Sequence, residues 1–148
     1  MTREEEFNLV ELKQLYKVNA VSLAFSLGGI KGGCEPTWAG QFAIERQTVI
    51  DEIKAYRALG GVVIVSTGGA AGPYLENSCH SSKELANAYR KVLSITGSTH
   101  LDIDIEATVP SDLMNEALVT LQKENPDLTV SFTLGVMGDD YGVNVQLG

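Results

Sequence analysis

Three acidic side chains occur at every second position of residues 101–106, and a bulky aliphatic residue precedes each of them. Side chains alternate between the two faces of an extended strand, so Asp102, Asp104 and Glu106 project to one face. Neighbours on that face are roughly 7 Å apart, so their negative charges repel one another and favour a protonated carboxyl. A carboxyl that keeps its proton at mild pH can serve as a general acid. The spacing therefore predicts a functional site, and the alternative is an edge strand with a solvated acidic face.

Predicted helices and strands alternate along the chain on both sides of this acidic segment. Apolar, β-rich runs occur at residues 18–27, 62–67, 101–106 and 128–134. Amphipathic helices are predicted at 5–16, at 45–59, from 81 through 92, and from 111 until Pro126 stops the last one. Ser81 with Glu84 three residues later is typical of a capping box at a helix start. Strict alternation predicts an α/β domain with a parallel sheet and right-handed crossovers.

Glycine-rich loops follow the first two predicted strands, at residues 28–33 and 68–72. These loops leave the C-terminal ends of parallel strands, where α/β proteins build their sites, and Glu106 lies at the same end of its own strand. Gly68 and Gly69 predict either a close approach to the backbone or simply a tight turn. Trp38 lies in a loop at the same C-terminal ends of the strands, the rim of the sheet. There it could stack on a sugar ring or anchor the loop.

Length and composition restrict the class of protein. The 148 residues suffice for one domain with a sizeable core, and the net charge of −8 argues against nucleic acid or an anionic membrane as a partner. No run approaches the ~20 apolar residues of a membrane span, and no apolar leader region opens the sequence. Two cysteines, Cys34 and Cys79, are too few for a disulfide scaffold, so two buried free thiols are the default expectation.

Other chemistries have weaker support in the sequence. No dinucleotide fingerprint or P-loop is present, so no cofactor is predicted. The carboxylates could bind Mg²⁺ in an α/β phosphotransfer domain, but the sequence lacks a second acidic cluster and an obvious basic phosphate partner, so no metal is predicted. His80 and His100 have no partners at ligand spacing, and surface or capping roles are expected for both.

Several separated segments together carry a resemblance to a known family. Ser66, Gly68 and Gly69 match an S-x-G-G segment, and the three acids match the end of a D-x-x-D-x-D-x-E signature whose first position here is Thr99. Residues 32–38 match a GGC-x-P-x-W segment. The chain thus resembles family 18 glycoside hydrolases, the chitinase family, and most closely their bacterial-type branch.

This resemblance implies a fold, an activity and roles for named residues. The fold would be a partial (β/α)8 TIM barrel of about four parallel strands with alternating helices. The activity would be hydrolysis of β-1,4-linked N-acetylglucosamine in chitin or chito-oligosaccharides, with retention and with participation of the substrate's acetamido group. Glu106 would be the proton donor, Asp104 would orient the acetamido group, and Asp102 would share the proton of Asp104. A disulfide between Cys34 and Cys79 and an extracellular location are also implied.

The resemblance also implies that much of a barrel is missing. A full barrel needs about 250 residues, so residues 1–148 are expected to form a single, truncated catalytic domain with impaired activity. Asp140 and Tyr141 match a later motif of the same branch and would bind the acetamido group. Exposed barrel edges would favour self-association. A non-catalytic chitin-binding or carbohydrate-binding pseudoenzyme is the alternative function.

Overall fold

The computed structural model describes residues 8–29, 32–139 and 142–145, with no account of side chains beyond residue 135. The helices are α1 Leu9–Gln14, α2 Gln47–Ala58, α3 Leu75–Ser78, α4 Ser82–Thr96 and α5 Ser111–Glu124. The strands are β1 Ala20–Leu27, β2 Thr37–Trp38, β3 Phe42–Ala43, β4 Val62–Gly69, β5 His100–Ile105, β6 Thr129–Phe132, β7 Val136–Asp139 and β8 Gly142–Val145. Helix and strand alternate over most of this order, as predicted.

The main sheet has the strand order β3-β2-β1-β4-β5-β6. Strands β1, β4, β5 and β6 pair in parallel, and helices connect them, which confirms the predicted parallel sheet. The sheet is open within the described residues, because β6 pairs there with β5 alone. β7 and β8 form a separate antiparallel hairpin.

The helix boundaries follow local signals in the sequence. The Ser81 hydroxyl accepts a hydrogen bond from the Glu84 backbone N–H at 3.2 Å, so Ser81 is the predicted N-cap of α4. The Glu84 carboxylate in turn accepts from the backbone N–H of His80 at 2.8 Å. α4 ends at Thr96, and the capping residue Gly97 has a left-handed φ of 63°, which is typical of the residue that follows a helix.

Three short elements were not predicted: α3, the β2–β3 hairpin and the β7–β8 hairpin. The strands β2 and β3 have two residues each, which is too short for a periodic pattern to show in the sequence. β2 exists because Thr37 and Trp38 pair with the C-terminal end of β1. The hairpin is thus a consequence of tertiary contact.

The hydrophobic core lies between one face of the sheet and the helices. Leu101 and Ile103 of β5 are 1% and 2% exposed and belong to a core cluster with residues of α4 and α5. A second cluster joins β1 to α1 and α2. Since successive side chains of a strand alternate faces, Asp102 and Asp104 project to the face opposite this core. Within the described residues, no helix has the length and apolar character that crossing a membrane requires.

Candidate functional site

A row of polar side chains crosses three parallel strands at Asp102. Register pairs Ser66 of β4 with Asp102 of β5, and Asp102 with Ser131 of β6. The hydroxyls of Ser66 and Thr133 donate to Asp102 Oδ2 at 3.0 and 2.9 Å, and that of Ser131 donates to Oδ1 at 2.6 Å. Hydrogen bonds from hydroxyl groups favour a carboxylate as acceptor. Asp102 is therefore the anchored member of the acidic face.

Asp104 lies one step closer to the C-terminal end of the strand, beside Gly68 of β4. Glycine leaves the space next to Asp104 without a side chain. Burial raises the pKa of the Asp104 carboxyl, and the negative charges of Glu106 and Asp102 raise it further. The structure therefore places on Asp104 the effect that the alternating acids predict, a carboxyl that keeps its proton more tightly than usual.

Glu106 directly follows β5 and is exposed at the C-terminal end of the sheet. Tyr74, which the sequence analysis did not identify, is buried and close enough to this site for its charges to affect the Tyr74 hydroxyl. Burial raises the pKa of Tyr74, and the negative charges of Glu106, Glu76 and Asp104 raise it further. Its hydroxyl donates to the Gly69 carbonyl oxygen at 2.7 Å, which ties Tyr74 to the glycine turn after β4.

Gly68 and Gly69 are required by close approach of neighbouring groups. Gly68 has φ of +111°, and a Cβ there would lie 2.6 Å from the carbonyl carbon of Asp104. Gly69 has φ of +85°, and a Cβ there would lie 2.7 Å from the ring of Phe25. Of the two interpretations offered by the sequence, the structure favours close approach over a simple turn. The approaching groups are the strand that carries the acids and Phe25 of β1.

The expectation that His100 has a surface or capping role was wrong. His100 is half-buried at the start of β5, on the same face as Asp102, and its Nε2 lies 2.8 Å from the Ser131 hydroxyl. This contact could not be predicted from the sequence, because Ser131 is 31 residues away and reaches His100 only through the register of β5 and β6. His80, in contrast, is exposed ahead of α4, as expected.

The remaining predicted residues fall in different places. Trp38 is half-buried and packs against both core clusters, and this packing favours the loop-anchoring alternative. Cys34 and Cys79 form the disulfide that the resemblance implies, with their Cα atoms 4.5 Å apart, so the default expectation of two free thiols was wrong. This bond joins the loop after β1 to the end of α3. Asp140 and Tyr141 lie outside the described residues.

A buried carboxyl beneath the rim was missed entirely. Glu76 of α3 is fully buried and accepts hydrogen bonds from the hydroxyls of Tyr89 and Thr67. Burial raises the pKa of Glu76 and outweighs these hydrogen bonds, which lower it. A single glutamate in a predicted loop carries no sequence signal of burial, so only the packing of α3 against α4 reveals it.

The described residues do not form a metal centre. Within the described part of the chain, no group of three or more His, Cys, Asp or Glu side chains is arranged to hold a metal ion. The acids instead form a line along one strand, with hydroxyl partners at one end and an exposed carboxyl at the other. Such a line suits proton transfer to a ligand that lies across the C-terminal ends of the strands.

Comparison with known proteins finds chitinases by sequence and by fold. No protein-family profile matches the chain. It is 30% identical over 139 residues to a probable bifunctional chitinase/lysozyme of Escherichia coli K12, across 88% of the chain and 16% of that protein. Its fold matches the catalytic domain of a hyperthermophilic chitinase from Pyrococcus furiosus, with TM-score 0.80 and 38% identity over 90% of the chain and 44% of that domain. The chain is similar in sequence and fold to part of these chitinases.

Further solved structures agree with this relationship. The active domain 2 of the Pyrococcus furiosus chitinase, as catalytic-site mutants complexed with chito-oligosaccharides, matches with TM-score 0.77 and 38% identity over 85% of the chain and 41% of that domain. A family GH18 chitinase from Chromobacterium violaceum shares the fold, with TM-score 0.60 and 20% identity over 85% of the chain and 35% of that protein. The chain spans less than half the length of each of these proteins. The predicted resemblance and the predicted partial barrel are both confirmed.

Proposed function

We propose that this chain carries the catalytic strand of a chitinase-type glycoside hydrolase, which cleaves β-1,4-linked N-acetylglucosamine polymers. The single observation that carries the proposal is the acidic line of β5. In it Asp104 has a raised pKa between Asp102 and Glu106, and Asp102 is anchored by hydroxyls. The 38% identity to a chitinase domain complexed with chito-oligosaccharides supports the same substrate class here.

The resemblance implies a role for each of the three acids, and their positions are compatible with these roles. Glu106 is exposed at the end of the strand, so we assign it the transfer of a proton to the leaving glycosidic oxygen and the later removal of a proton from water. Asp104 would orient the acetamido group, whose oxygen attacks the anomeric carbon in a retaining, substrate-assisted reaction. Asp102 would take part in sharing the Asp104 proton, since the two are neighbours on one face.

Hydrolysis of a fluorogenic chitobioside tests the proposal. Glu106→Gln keeps the shape of the side chain and removes its acid function, so we expect a loss of at least about 100-fold in kcat. Glu116→Gln, an exposed substitution on α5, is the matched control and should leave kcat unchanged. Equal turnover by wild type and Glu106→Gln would overturn the assignment.

Binding without catalysis is the second candidate function. It is favoured by the open sheet, which has four parallel strands within the described residues and so presents only part of a barrel to a polysaccharide. Chitin beads distinguish the candidates: retention of the chain with no turnover by wild type selects a carbohydrate-binding role. Turnover that depends on Glu106 selects the enzyme.

We further propose an extracellular location and self-association through β6. The disulfide between Cys34 and Cys79 is compatible with an oxidising compartment. The outer edge of β6 is unpaired within the described residues, and Phe132 and Leu134 beside it are 49% and 40% exposed. Light scattering after size-exclusion chromatography should show a molar mass that rises with concentration and falls in Phe132→Ser. A monomer at every concentration would contradict self-association.

A further inference from the structure

A hydrogen-bonded chain links His100 to the acidic row. His100 Nε2 lies 2.8 Å from the Ser131 hydroxyl oxygen, and the Ser131 hydroxyl donates to Asp102 Oδ1 at 2.6 Å. His100, Asp102 and Asp104 share one face of β5, at successive levels from the start of the strand to its C-terminal end. These hydrogen bonds therefore run from the N-terminal end of β5 toward its C-terminal end, where Glu106 lies.

The number of protons available shows which group donates in each of these hydrogen bonds. A serine hydroxyl has one proton to donate and lone pairs that accept. Because that proton points to Asp102, the contact with His100 is a hydrogen bond only if His100 Nε2 carries a hydrogen and donates it. If His100 accepted instead, the Ser131 proton would turn toward the ring, and Asp102 Oδ1 would lose its donor.

The strands on either side of β5 add no charged group to this hydrogen-bonded network. The sequences of β4 and β6, which flank β5, contain no ionisable residue within Val62–Gly69 and Thr129–Phe132. The charged or titratable groups on this face of the three strands are thus His100, Asp102 and Asp104, with Glu106 just beyond β5. His100 is the group that can determine which way the Ser131 hydroxyl points.

We propose that His100 is a positioning residue of the acidic row, which acts through Ser131 to keep a hydroxyl proton directed at Asp102. Its Nε2–H donates to Ser131, the Ser131 hydroxyl donates to Asp102, and the proton shared along the row therefore resides on Asp104, next to Glu106. This role rests on the proposed hydrolase function. It adds a residue that touches neither the substrate nor the reacting atoms.

The tautomer of His100 tests the network independently of any turnover. The sequence has two histidines, so His80→Gln leaves His100 as the one imidazole to observe. Nitrogen-15 NMR should find the proton on Nε2 at neutral pH in this variant, and Ser131→Ala should change the Nε2 resonance. A neutral ring with its proton on Nδ1 alone, or no response to Ser131→Ala, would overturn the inference even in an active enzyme.

The pH dependence of chitobioside hydrolysis tests the consequence. In His100→Leu, Ser131 loses its donor and stabilises the anionic row less. We therefore expect the acid limb of the kcat/KM profile to move up by about half a pH unit, with KM nearly unchanged. The side-chain amide of His100→Gln can still donate, so this variant should show a profile close to that of wild type. His80→Gln should cause no shift.

The double variant completes the test. In a Ser131→Ala background the His100→Leu change should add no further shift, because the link between the two groups is already broken. A full, additive shift would show that His100 acts by another route. If wild type has no turnover, the hydrolase proposal fails, while the NMR experiment still decides whether the network exists.

Discussion

Replacement of Gly68 by alanine probes how closely β4 approaches the strand that carries the acids. Gly68 has φ of +111°, and a Cβ there would lie 2.6 Å from the Asp104 carbonyl carbon, while ordinary contact begins near 3.4 Å. The two strands would have to separate by at least about 0.8 Å at this level (3.4 minus 2.6), and by more to clear the Asp104 carbonyl oxygen, which lies closer still. Gly33→Ala is a matched control, because Gly33 has φ of +112° and no described atom lies within 4 Å of its Cβ position.

The two variants separate backbone strain from overlap. A left-handed φ costs an alanine about 1–2 kcal/mol at either position. Overlap with a packed neighbour adds about 1–3 kcal/mol. We therefore expect the free energy of unfolding to fall by about 1–2 kcal/mol in Gly33→Ala and by about 2–5 kcal/mol in Gly68→Ala.

Urea unfolding followed by fluorescence measures this difference, since Trp38 is the one tryptophan of the sequence and packs against both core clusters. Equal losses of stability in Gly68→Ala and Gly33→Ala would refute the argument. The need for glycine at position 68 would then come from its φ alone. A Gly68→Ala variant too unstable to purify, next to a folded Gly33→Ala, would agree with the argument.

Two further predictions concern the groups beneath the rim. The raised pKa of Glu76 means that the folded state holds a proton that the unfolded state releases above about pH 4.5, so this residue costs stability as pH rises through that window. Glu76→Gln should therefore gain stability relative to wild type by up to about 1.4 kcal/mol per pH unit there, and a pH-independent difference in urea midpoint would contradict this. Cys79→Ser opens a loop with a sequence separation of 45 and should lower the unfolding free energy by up to about 4 kcal/mol, with reductant affecting wild type alone. A reductant effect of equal size on both proteins would exclude the disulfide as its cause.

Prediction from the sequence succeeded where the signal is local. The cap of α4 follows from Ser81 and Glu84, which are three residues apart, and the faces of β5 follow from alternation within six residues. Prediction failed where the partner is distant. Glu76 gave no sign of burial, and His100 gave no sign of its hydrogen bond to Ser131, because both contacts depend on the packing of whole elements.

Alternation along residues 101–106 predicts three acids on one face of a strand whose other face is buried, because a two-residue period and flanking aliphatic residues leave one favourable arrangement in a packed sheet. The sequence also carries the segments that resemble those of the family 18 chitinases. The groups that surround those acids depend on contacts between distant strands. The hydroxyls of Ser66 and Ser131 come from strands 36 and 29 residues away from Asp102, and they meet it because parallel register aligns them. Register is set by the whole sheet and its helices, so no local pattern could have revealed it.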